Sequence, residues 1–178
     1  EHFPDLEKAI NRLIQASIDK EKIAICGDYD ADGMTSTALL LKALRNMKCE
    51  AIPAIPNRIE EGYGLNTDMV ERLHSLGINL LITVDNGVNA IDAINLAAQL
   101  NIDIIITDHH EISTSIPNIL ALLHPSTTPI NSPYRELAGV GIAFILASEL
   151  AKKVNYDESI SESLDLFCIG TIADMARL

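Results

Sequence analysis

The stretch Ile23-Ala-Ile-Cys-Gly-Asp-Tyr-Asp-Ala-Asp-Gly33 decides the fold of this chain. Its apolar first half predicts a buried strand, and residues 34–47 after it predict a helix whose leucines face a core. Three carboxylates, Asp28, Asp30 and Asp32, crowd into the turn between them. Because like charges this close raise one another's pKa, the turn favours a hard divalent cation such as Mg²⁺ or Mn²⁺. Taken alone, the turn is equally compatible with a solvated acidic turn or a calcium loop, although the Gly and Glu spacing of an EF-hand is missing.

Length and composition fit one globular domain. The chain has 178 residues, of which 48% are hydrophobic, enough for a single core. Its three cysteines lie far apart without a C-x-x-C pair, which predicts a reducing, cytoplasmic location and argues against a disulfide framework or a zinc site. We find no apolar run long enough to cross a membrane. Because the chain starts at Glu1 and stops after a motif-like segment, we expect a fragment of a longer protein.

The net charge bears on nucleic-acid binding. Thirteen basic and 25 acidic residues give a formal charge of −12. An acidic surface argues against extended contact with nucleic acid, because phosphate binding needs clustered Lys and Arg. The objection is limited, since bound metal would neutralise several carboxylates and a further domain could carry a basic groove.

Apolar runs and helical periodicities alternate along the chain, which predicts an α/β fold. The predicted strands are residues 23–26, 49–55, 80–84, 102–107 and 119–123. The predicted helices are residues 5–19, 34–47, 67–76, 90–100 and 139–153, followed by an acidic helix before residue 168. We therefore expect a doubly wound fold with a mainly parallel sheet of about five strands, flanked by helices.

Side chains that can bind metal follow three of these strands. The third strand ends at Asp85, the fourth runs into Asp108-His-His110, and the fifth ends at His124. In open parallel sheets, ligands gather beyond the carboxyl ends of the strands, so these side chains should converge on the acidic turn. His124 precedes a proline, and we interpret it as a structural residue rather than as a ligand.

Six motifs together resemble one known superfamily. They are Gly27-Asp-Tyr-Asp-Ala-Asp-Gly33, Pro56-Asn-Arg58, Glu61-Gly-Tyr-Gly-Leu65, Val84-Asp-Asn-Gly87, Thr107-Asp-His-His-Glu111 and Gly170-Thr-Ile-Ala-Asp174. In this combination the chain resembles the DHH phosphoesterases and, among them, the RecJ branch of single-strand-specific 5′ to 3′ DNA exonucleases. The resemblance implies that residues 1–178 form the catalytic DHH domain, without the DHH-associated and DNA-binding domains that follow it in the family.

The resemblance also implies an activity and its partners. We expect a phosphodiesterase that uses two Mn²⁺ or Mg²⁺ ions to hydrolyse single-stranded DNA to mononucleotides in repair and recombination. Single-strand-binding protein or a repair helicase would be partners through the missing domains. The alternatives that stay open are a DHH phosphodiesterase of short oligonucleotides or cyclic dinucleotides, a manganese pyrophosphatase, and a scaffold without catalysis.

Roles for single residues follow from the resemblance. The metal ligands it implies are Asp28, Asp30, Asp32, Asp85, His109 and Asp174, with Asp85 as a candidate bridge between the ions. The catalytic residues it implies are His110, Asp85 and Asp108. We expect His110 to act at the substrate phosphate or leaving group, and Asp108 to orient a histidine from behind.

Four residues outside the metal site are candidates for binding substrate. Arg58 could grip the 5′ phosphate with a bidentate guanidinium, or pair with a neighbouring glutamate. Tyr63 could stack on a base or pack under its own loop. Gly139 and Gly141 could present backbone amides to a phosphate, or allow close packing of a helix.

Cys26 departs from the pattern of the family. Many DHH proteins carry a metal-binding histidine where this chain has Cys26. We interpret Cys26 as a neutral residue packed at an apolar strand end, with Asp28 supplying the missing ligand.

Overall fold

The computed structural model describes residues 3–57, 62–113, 115–117, 119–155 and 161–176. Strands and helices alternate along them as the apolar pattern predicts. The strands are β1 (Lys22–Cys26), β2 (Glu50–Ala54), β3 (Ile78–Val84), β4 (Asp103–Thr107) and β5 (Ala121–Leu123). The α-helices are α1 (Leu6–Asp19), α2 (Ala31–Asn46), α3 (Thr67–Ser75), α4 (Ile91–Gln99), α5 (Gly139–Lys153) and α6 (Leu164–Ala173).

The five strands form one sheet in the order β2-β1-β3-β4-β5, and every neighbouring pair is parallel. The order of the strands reverses between β1 and β3, since β1 is followed in sequence by β2 on one side and later by β3 on the other. This reversal opens a crevice beyond the carboxyl ends of β1 and β3, where ligands bind in open α/β sheets.

Helices cover both faces of the sheet, so the predicted doubly wound fold is confirmed. Side chains alternate along β1, with Ile23 and Ile25 in the core under α1, α2 and α5, and Ala24 and Cys26 in the core under α3 and α4. Both faces of the central strands are therefore buried, which explains their continuous apolar sequence.

Helix α2 begins three residues before the predicted start, at Ala31 instead of Met34. Asp30 is extended, and its carboxylate accepts a hydrogen bond of 2.9 Å from the amide of Gly33, so that Asp30 is the N-cap. Asp32, which the sequence assigns to the turn, therefore lies in the first turn of α2. A Cβ at Gly33 would lie 2.6 Å from the backbone nitrogen of Asp28, so the helix approaches β1 too closely for any side chain there.

The second half of the chain differs little from the prediction. The bounds of α5 are those expected, and the segment between β5 and α5 contains the short 3-10 helices Pro125–Thr127 and Pro133–Glu136. The predicted acidic helix before residue 168 falls partly on residues 156–160, outside the described residues, and α6 follows a 3-10 turn at Ser161–Ser163. Within the described ranges, no helix has the length and apolar character needed to cross a membrane.

Candidate metal centre at the carboxyl edge of the sheet

Asp85 lies at the centre of the site, one residue beyond the end of β3. Its backbone has φ +60°, a left-handed conformation that is uncommon for a residue other than glycine. Its amide donates to the carbonyl of Thr107 on β4 at 3.0 Å, so the sheet hydrogen bonds continue to Asp85. The buried Asp85 carboxylate lies 2.9 Å from Nε2 of His109, which follows β4.

Two further carboxylates lie near the same ring nitrogen of His109. Nε2 of His109 lies 3.7 Å from Oδ2 of Asp32 and 3.9 Å from Oδ1 of Asp174. Asp32 comes from the first turn of α2, whereas Asp174 is the residue that ends α6. The site therefore joins residues that are far apart in sequence.

The N-terminus of α5 holds Asp32 in place. The amides of Gly139 and Val140 donate to its two carboxylate oxygens at 2.6 and 2.8 Å. A Cβ at Gly139 would lie 2.7 Å from the Cβ of Asp85 and 2.9 Å from Asp32 Oδ2. A glycine is therefore needed at residue 139 for the helix to reach both carboxylates.

The ligand atoms form two groups that share His109. Asp85, His109 and His110 form one group, and Asp32, His109 and Asp174 form the other, each with its ligand atoms within 4.8 Å of one another. Carboxylate and imidazole ligands in two adjoining groups suit a pair of cations such as Mn²⁺ or Mg²⁺.

Asp28 provides an independent test of whether a cation fits. Its side chain is fully buried, and neither carboxylate oxygen accepts a hydrogen bond from the described residues. The hydroxyl of Tyr63 donates to the carbonyl of Asp85 instead. Burial raises the pKa of Asp28, because a buried carboxylate without a partner is costly to ionise. A cation beside Asp28 would compensate this charge, so the residues present fit a metal centre.

Burial also perturbs the two central carboxylates. It raises the pKa of Asp85 to about 7, even though the hydrogen bond with His109 opposes the shift. Burial raises the pKa of Asp32 as well, against the amides of Val140 and Gly139. In both carboxylates burial therefore disfavours the charged form, which a cation would stabilise.

Asp108 forms a hydrogen bond with His110 and belongs to neither group of ligand atoms found among the described residues. Its Oδ1 lies 2.8 Å from Nδ1 of His110, and its Oδ2 accepts from the amide of Val88 at 3.0 Å. Although burial alone would raise the pKa of Asp108, the hydrogen bonds from His110 and Val88 outweigh it and lower the pKa. The hydrogen bond with Asp108 in turn raises the pKa of His110 to about 9. Asp108 is therefore hydrogen-bonded to His110, and its role in orienting that ring stays a prediction.

His124 lies behind the site, which agrees with its interpretation as a structural residue. It is buried, its Nε2 lies 2.8 Å from the carbonyl of His110, and its Nδ1 lies 2.8 Å from the hydroxyl of Ser126. Burial lowers the pKa of His124, so it packs as a neutral ring. His124 therefore supports the backbone of His110.

Some predicted site residues lie outside the two groups of ligand atoms. Asp30 is exposed and caps α2, and its role as a metal ligand stays a prediction. Arg58 falls outside the described residues. The amide of Gly139 is bound to Asp32, and that of Gly141 donates to the carbonyl of Ala138, so their contact with phosphate also stays a prediction. A Cβ at Gly141 would lie 2.8 Å from the side chain of Leu137, which explains this glycine by close packing.

Cys26 packs in the core beneath the site. Its Sγ is buried and lies 3.2 Å from Sδ of Met69, on the face of the sheet covered by α3 and α4. It belongs to neither group of ligand atoms found among the described residues. The position of Cys26 agrees with its interpretation as a neutral, packed residue.

A small cavity adjoins the centre on the side of His110. Its volume is about 300 Å³, and its walls include Tyr63, Asn86 and His110. Tyr63 is half exposed, and its ring meets those of Tyr29 and His110 edge to face, with centroids 6.2 and 6.1 Å apart. Tyr63 therefore adjoins both this cavity and His110, and its stacking on a base stays a prediction.

Sequence reasoning assigned no role to Asn86. Its side chain is buried and bonded to three separate segments, whereas the sequence shows only an asparagine inside Val84-Asp-Asn-Gly87. The position of Asn86, directly after a candidate ligand at a strand end, is the signal that could have identified it.

Comparisons with known proteins identify the family of this chain. A model of the DHH family, N-terminal domain, matches residues 22–171. The single-stranded-DNA-specific exonuclease RecJ of Bacillus subtilis is 43% identical over 97% of this chain, which covers 21% of that protein. RecJ of Escherichia coli is 39% identical over 97% of this chain, which covers 32% of that protein. This chain therefore spans less than a third of the length of these relatives.

Several solved structures resemble this chain over nearly its whole length. The crystal structure of an exonuclease RecJ bound to manganese superposes with a TM-score of 0.89 and 34% sequence identity. The match covers 99% of this chain and 44% of that one.

Proposed function

Because this chain belongs to the DHH family, N-terminal domain, we propose that it forms the hydrolytic domain of a single-stranded-DNA-specific 5′ to 3′ exonuclease. The observation that carries the proposal is the pair of ligand groups that share His109 at the carboxyl edge of the sheet. Its relatives named RecJ, and the similar RecJ structure bound to manganese, support the proposal.

In this proposal Asp32, Asp85, His109 and Asp174 would hold two Mn²⁺ or Mg²⁺ ions, with Asp28 and Asp30 contributing from the acidic turn. When bound, they would supply an activated water and neutralise charge on a phosphodiester. Asp85 lies 2.9 Å from His109, the residue that the two groups share, and is the candidate bridge. The amides at the start of α5 orient the carboxylate of Asp32 and favour its ionised form, against the larger effect of burial.

His110 is the proposed proton donor to the leaving oxygen. Asp108 binds its Nδ1, so Nε2, which lies 3.3 Å from the Tyr63 hydroxyl, is the ring nitrogen that would donate the proton. The raised pKa of His110 keeps the ring protonated near neutral pH, as a general acid requires. Asp108 acts by holding the ring and by stabilising its positive charge.

Arg58 and Tyr63 are the residues proposed to bind the substrate. Arg58 would bind the 5′ phosphate and Tyr63 would stack on a base, next to the cavity beside His110. The formal charge of −12 implies that most of the basic surface for DNA lies in other domains of a longer protein. Single-strand-binding protein or a repair helicase would contact those domains.

The experiment is digestion of single-stranded DNA labelled at its 5′ or its 3′ end, in Mn²⁺. We expect immediate release of labelled mononucleotide from the 5′-labelled strand only, and loss of this release in Asp85→Ala. The matched control is Asp92→Ala, an exposed aspartate on α4, which should cut as the unmodified protein does. Preferential cleavage of di- and trinucleotides would overturn the assignment in favour of a small-substrate phosphodiesterase.

A further inference from the structure

Asn86 connects three segments that meet at the metal centre. The side chain is only 2% exposed. Its Nδ2 donates to the carbonyl of Cys26 at 3.1 Å and to the carbonyl of Val84 at 2.8 Å. Its Oδ1 accepts from the amide of Leu65 at 3.1 Å. One carboxamide thus ties together the ends of β1 and β3 and the segment 62–65.

These partners determine the orientation of the carboxamide. A backbone carbonyl only accepts hydrogen bonds and a backbone N–H only donates them, so Nδ2 must face the two carbonyls and Oδ1 the amide. The bond from Asn86 to Val84 spans the residue between them, Asp85, whose φ is +60°. Asn86 therefore stabilises the unusual backbone that directs the Asp85 carboxylate into the site.

The segment 62–65 is shaped to rest on Asn86. Gly62 and Gly64 have φ of +79° and +62°. A Cβ at Gly64 would lie 3.1 Å from both Cβ and Oδ1 of Asn86. The segment therefore packs directly on the carboxamide that binds it, with Tyr63 between the two glycines.

Tyr63 transmits this contact to the catalytic histidine. Its hydroxyl donates to the carbonyl of Asp85 at 3.3 Å and lies 3.3 Å from Nε2 of His110. Because Asp108 binds the other ring nitrogen, His110 is held on both sides. The contacts run from Asn86 through Leu65 and Tyr63 to His110.

We propose that Asn86 is a positioning residue for the hydrolysis, because its carboxamide holds Tyr63 against His110 and sets the backbone of Asp85. The inference rests on the proposed function for its kinetic consequence, but its structural part does not depend on that function. Asn86 acts through other side chains and need not touch the substrate.

The test compares Asn86→Ala, Tyr63→Phe and the double variant. The control is Arg12→Met, which removes ion pairs of 2.6 and 2.7 Å to Glu21 and Asp103 at the amino end of the sheet. Arg12→Met should lower the stability of the protein without changing the contacts of the metal centre. Tyr63→Phe removes only a hydroxyl, so it keeps the test decisive if Asn86→Ala does not fold.

The first readout needs no activity. We expect the ring resonances of His110 in NMR spectra of the metal-free protein to shift in Asn86→Ala and in Tyr63→Phe but not in Arg12→Met. In Asn86→Ala the Leu65 amide should also exchange faster with solvent. Unchanged His110 resonances in both site variants would overturn the proposal and leave Asn86 a purely structural residue.

The second readout is steady-state cleavage of single-stranded DNA in Mn²⁺. We expect kcat to fall about tenfold or more in Asn86→Ala with little change in KM, because the loss is one of orientation. The double variant should be hardly slower than Asn86→Ala, since both substitutions interrupt one line of contacts. Additive losses, or an unchanged kcat, would contradict the proposal. If the unmodified protein cuts no DNA, the proposed function fails and the NMR result alone decides the role of Asn86.

Discussion

The carboxylate of Asp28 is fully buried, and burial raises its pKa. Because its buried carboxylate accepts no hydrogen bond from the described residues, we expect Asp28→Asn to raise the free energy of unfolding of the metal-free protein by about 1 kcal/mol. The same substitution should reduce the stabilisation by Mn²⁺. Thermal unfolding in EDTA and in Mn²⁺ measures both effects.

The control for Asp28→Asn is Asp19→Asn, at an exposed position on α1. It should leave both melting temperatures nearly unchanged. Two results would contradict a role for Asp28 beside the cations. The metal-free Asp28→Asn protein could be less stable than the unmodified one, or Mn²⁺ could stabilise both proteins equally.

The titrating residues predict how stability changes with pH in the absence of metal. The pKa values of Asp85 and His110 are raised to about 7 and about 9, from 3.8 and 6.5. A raised pKa means that the folded state binds the proton more tightly, so this stabilisation is present at low pH and is lost as pH rises through the folded pKa. We therefore expect the free energy of unfolding to fall by about 1 kcal/mol or more between pH 5 and 9.

Chemical denaturation at a series of pH values in EDTA measures this slope. Asp85→Asn should reduce the dependence of the free energy of unfolding on pH below about pH 7. His124 has the opposite effect on stability, because burial lowers its pKa. His124→Gln should therefore make the free energy of unfolding fall more steeply as the pH rises. A stability that rises steadily over this range would show that the site is not protonated as the geometry implies.

At the scale of residues, the sequence predicted which side chains meet but not how they bond. Asp85, His109 and Asp174 were expected at one site, and the structure brings them together. The bonding of Asp30 was not predictable, because an aspartate after a strand can cap a helix or bind a metal, and both uses leave the same sequence pattern. Asn86 was missed because its bonds join segments that are distant in sequence.

At the scale of elements, α6 determines the position of Asp174. Gly170 lies against α2 and α5, where a Cβ would collide with Oγ1 of Thr35 and lie 2.8 Å from Cγ1 of Val140. We expect Gly170→Ala to destabilise the protein by about 1–3 kcal/mol through overpacking. It should also weaken Mn²⁺ binding, because the helix end that carries Asp174 moves away from His109.

Calorimetric titration with Mn²⁺ and thermal unfolding measure the two effects of Gly170→Ala. The control is Ala173→Ser, at an exposed position on the same helix. It should change neither quantity appreciably. Loss of stability without any loss of Mn²⁺ affinity would separate the packing of α6 from the metal centre.

The elements also show where prediction from sequence loses accuracy. Helix α5 begins and ends as predicted, because Gly139 and the apolar periodicity mark it clearly. The start of α2 was placed three residues late, since the acidic residues before Met34 were assigned to the turn. A cap and a metal-binding turn draw on the same residue type, so periodicity alone cannot separate them.

At the scale of the whole molecule, the parallel sheet and its helices on both faces were predictable from short, fully apolar strands. The strand order β2-β1-β3-β4-β5 was not predicted, because sequence periodicity does not say which strands pair. The convergence of the site residues could still be expected, since every parallel strand ends at the same edge whatever the order.

Removal of metal should lower the stability of the whole molecule. A ligand that binds only the folded state stabilises it by about 2.7 kcal/mol when its concentration is 100 times the dissociation constant. We expect the melting temperature to fall in EDTA and to recover with Mn²⁺. In Asp85→Ala the recovery should be largely lost, and a melting temperature independent of Mn²⁺ in the unmodified protein would contradict a metal centre.

The all-parallel sheet has a consequence for the kinetics of folding. No two neighbouring strands can form a hairpin, so every pairing closes a long loop of chain before it gains a contact. The ligands at Asp32 and Asp174 come together only after most of these loops have closed. Mn²⁺ should therefore slow the unfolding rate and leave the folding rate nearly unchanged in stopped-flow measurements, so that the metal prolongs the life of the native state without guiding its formation.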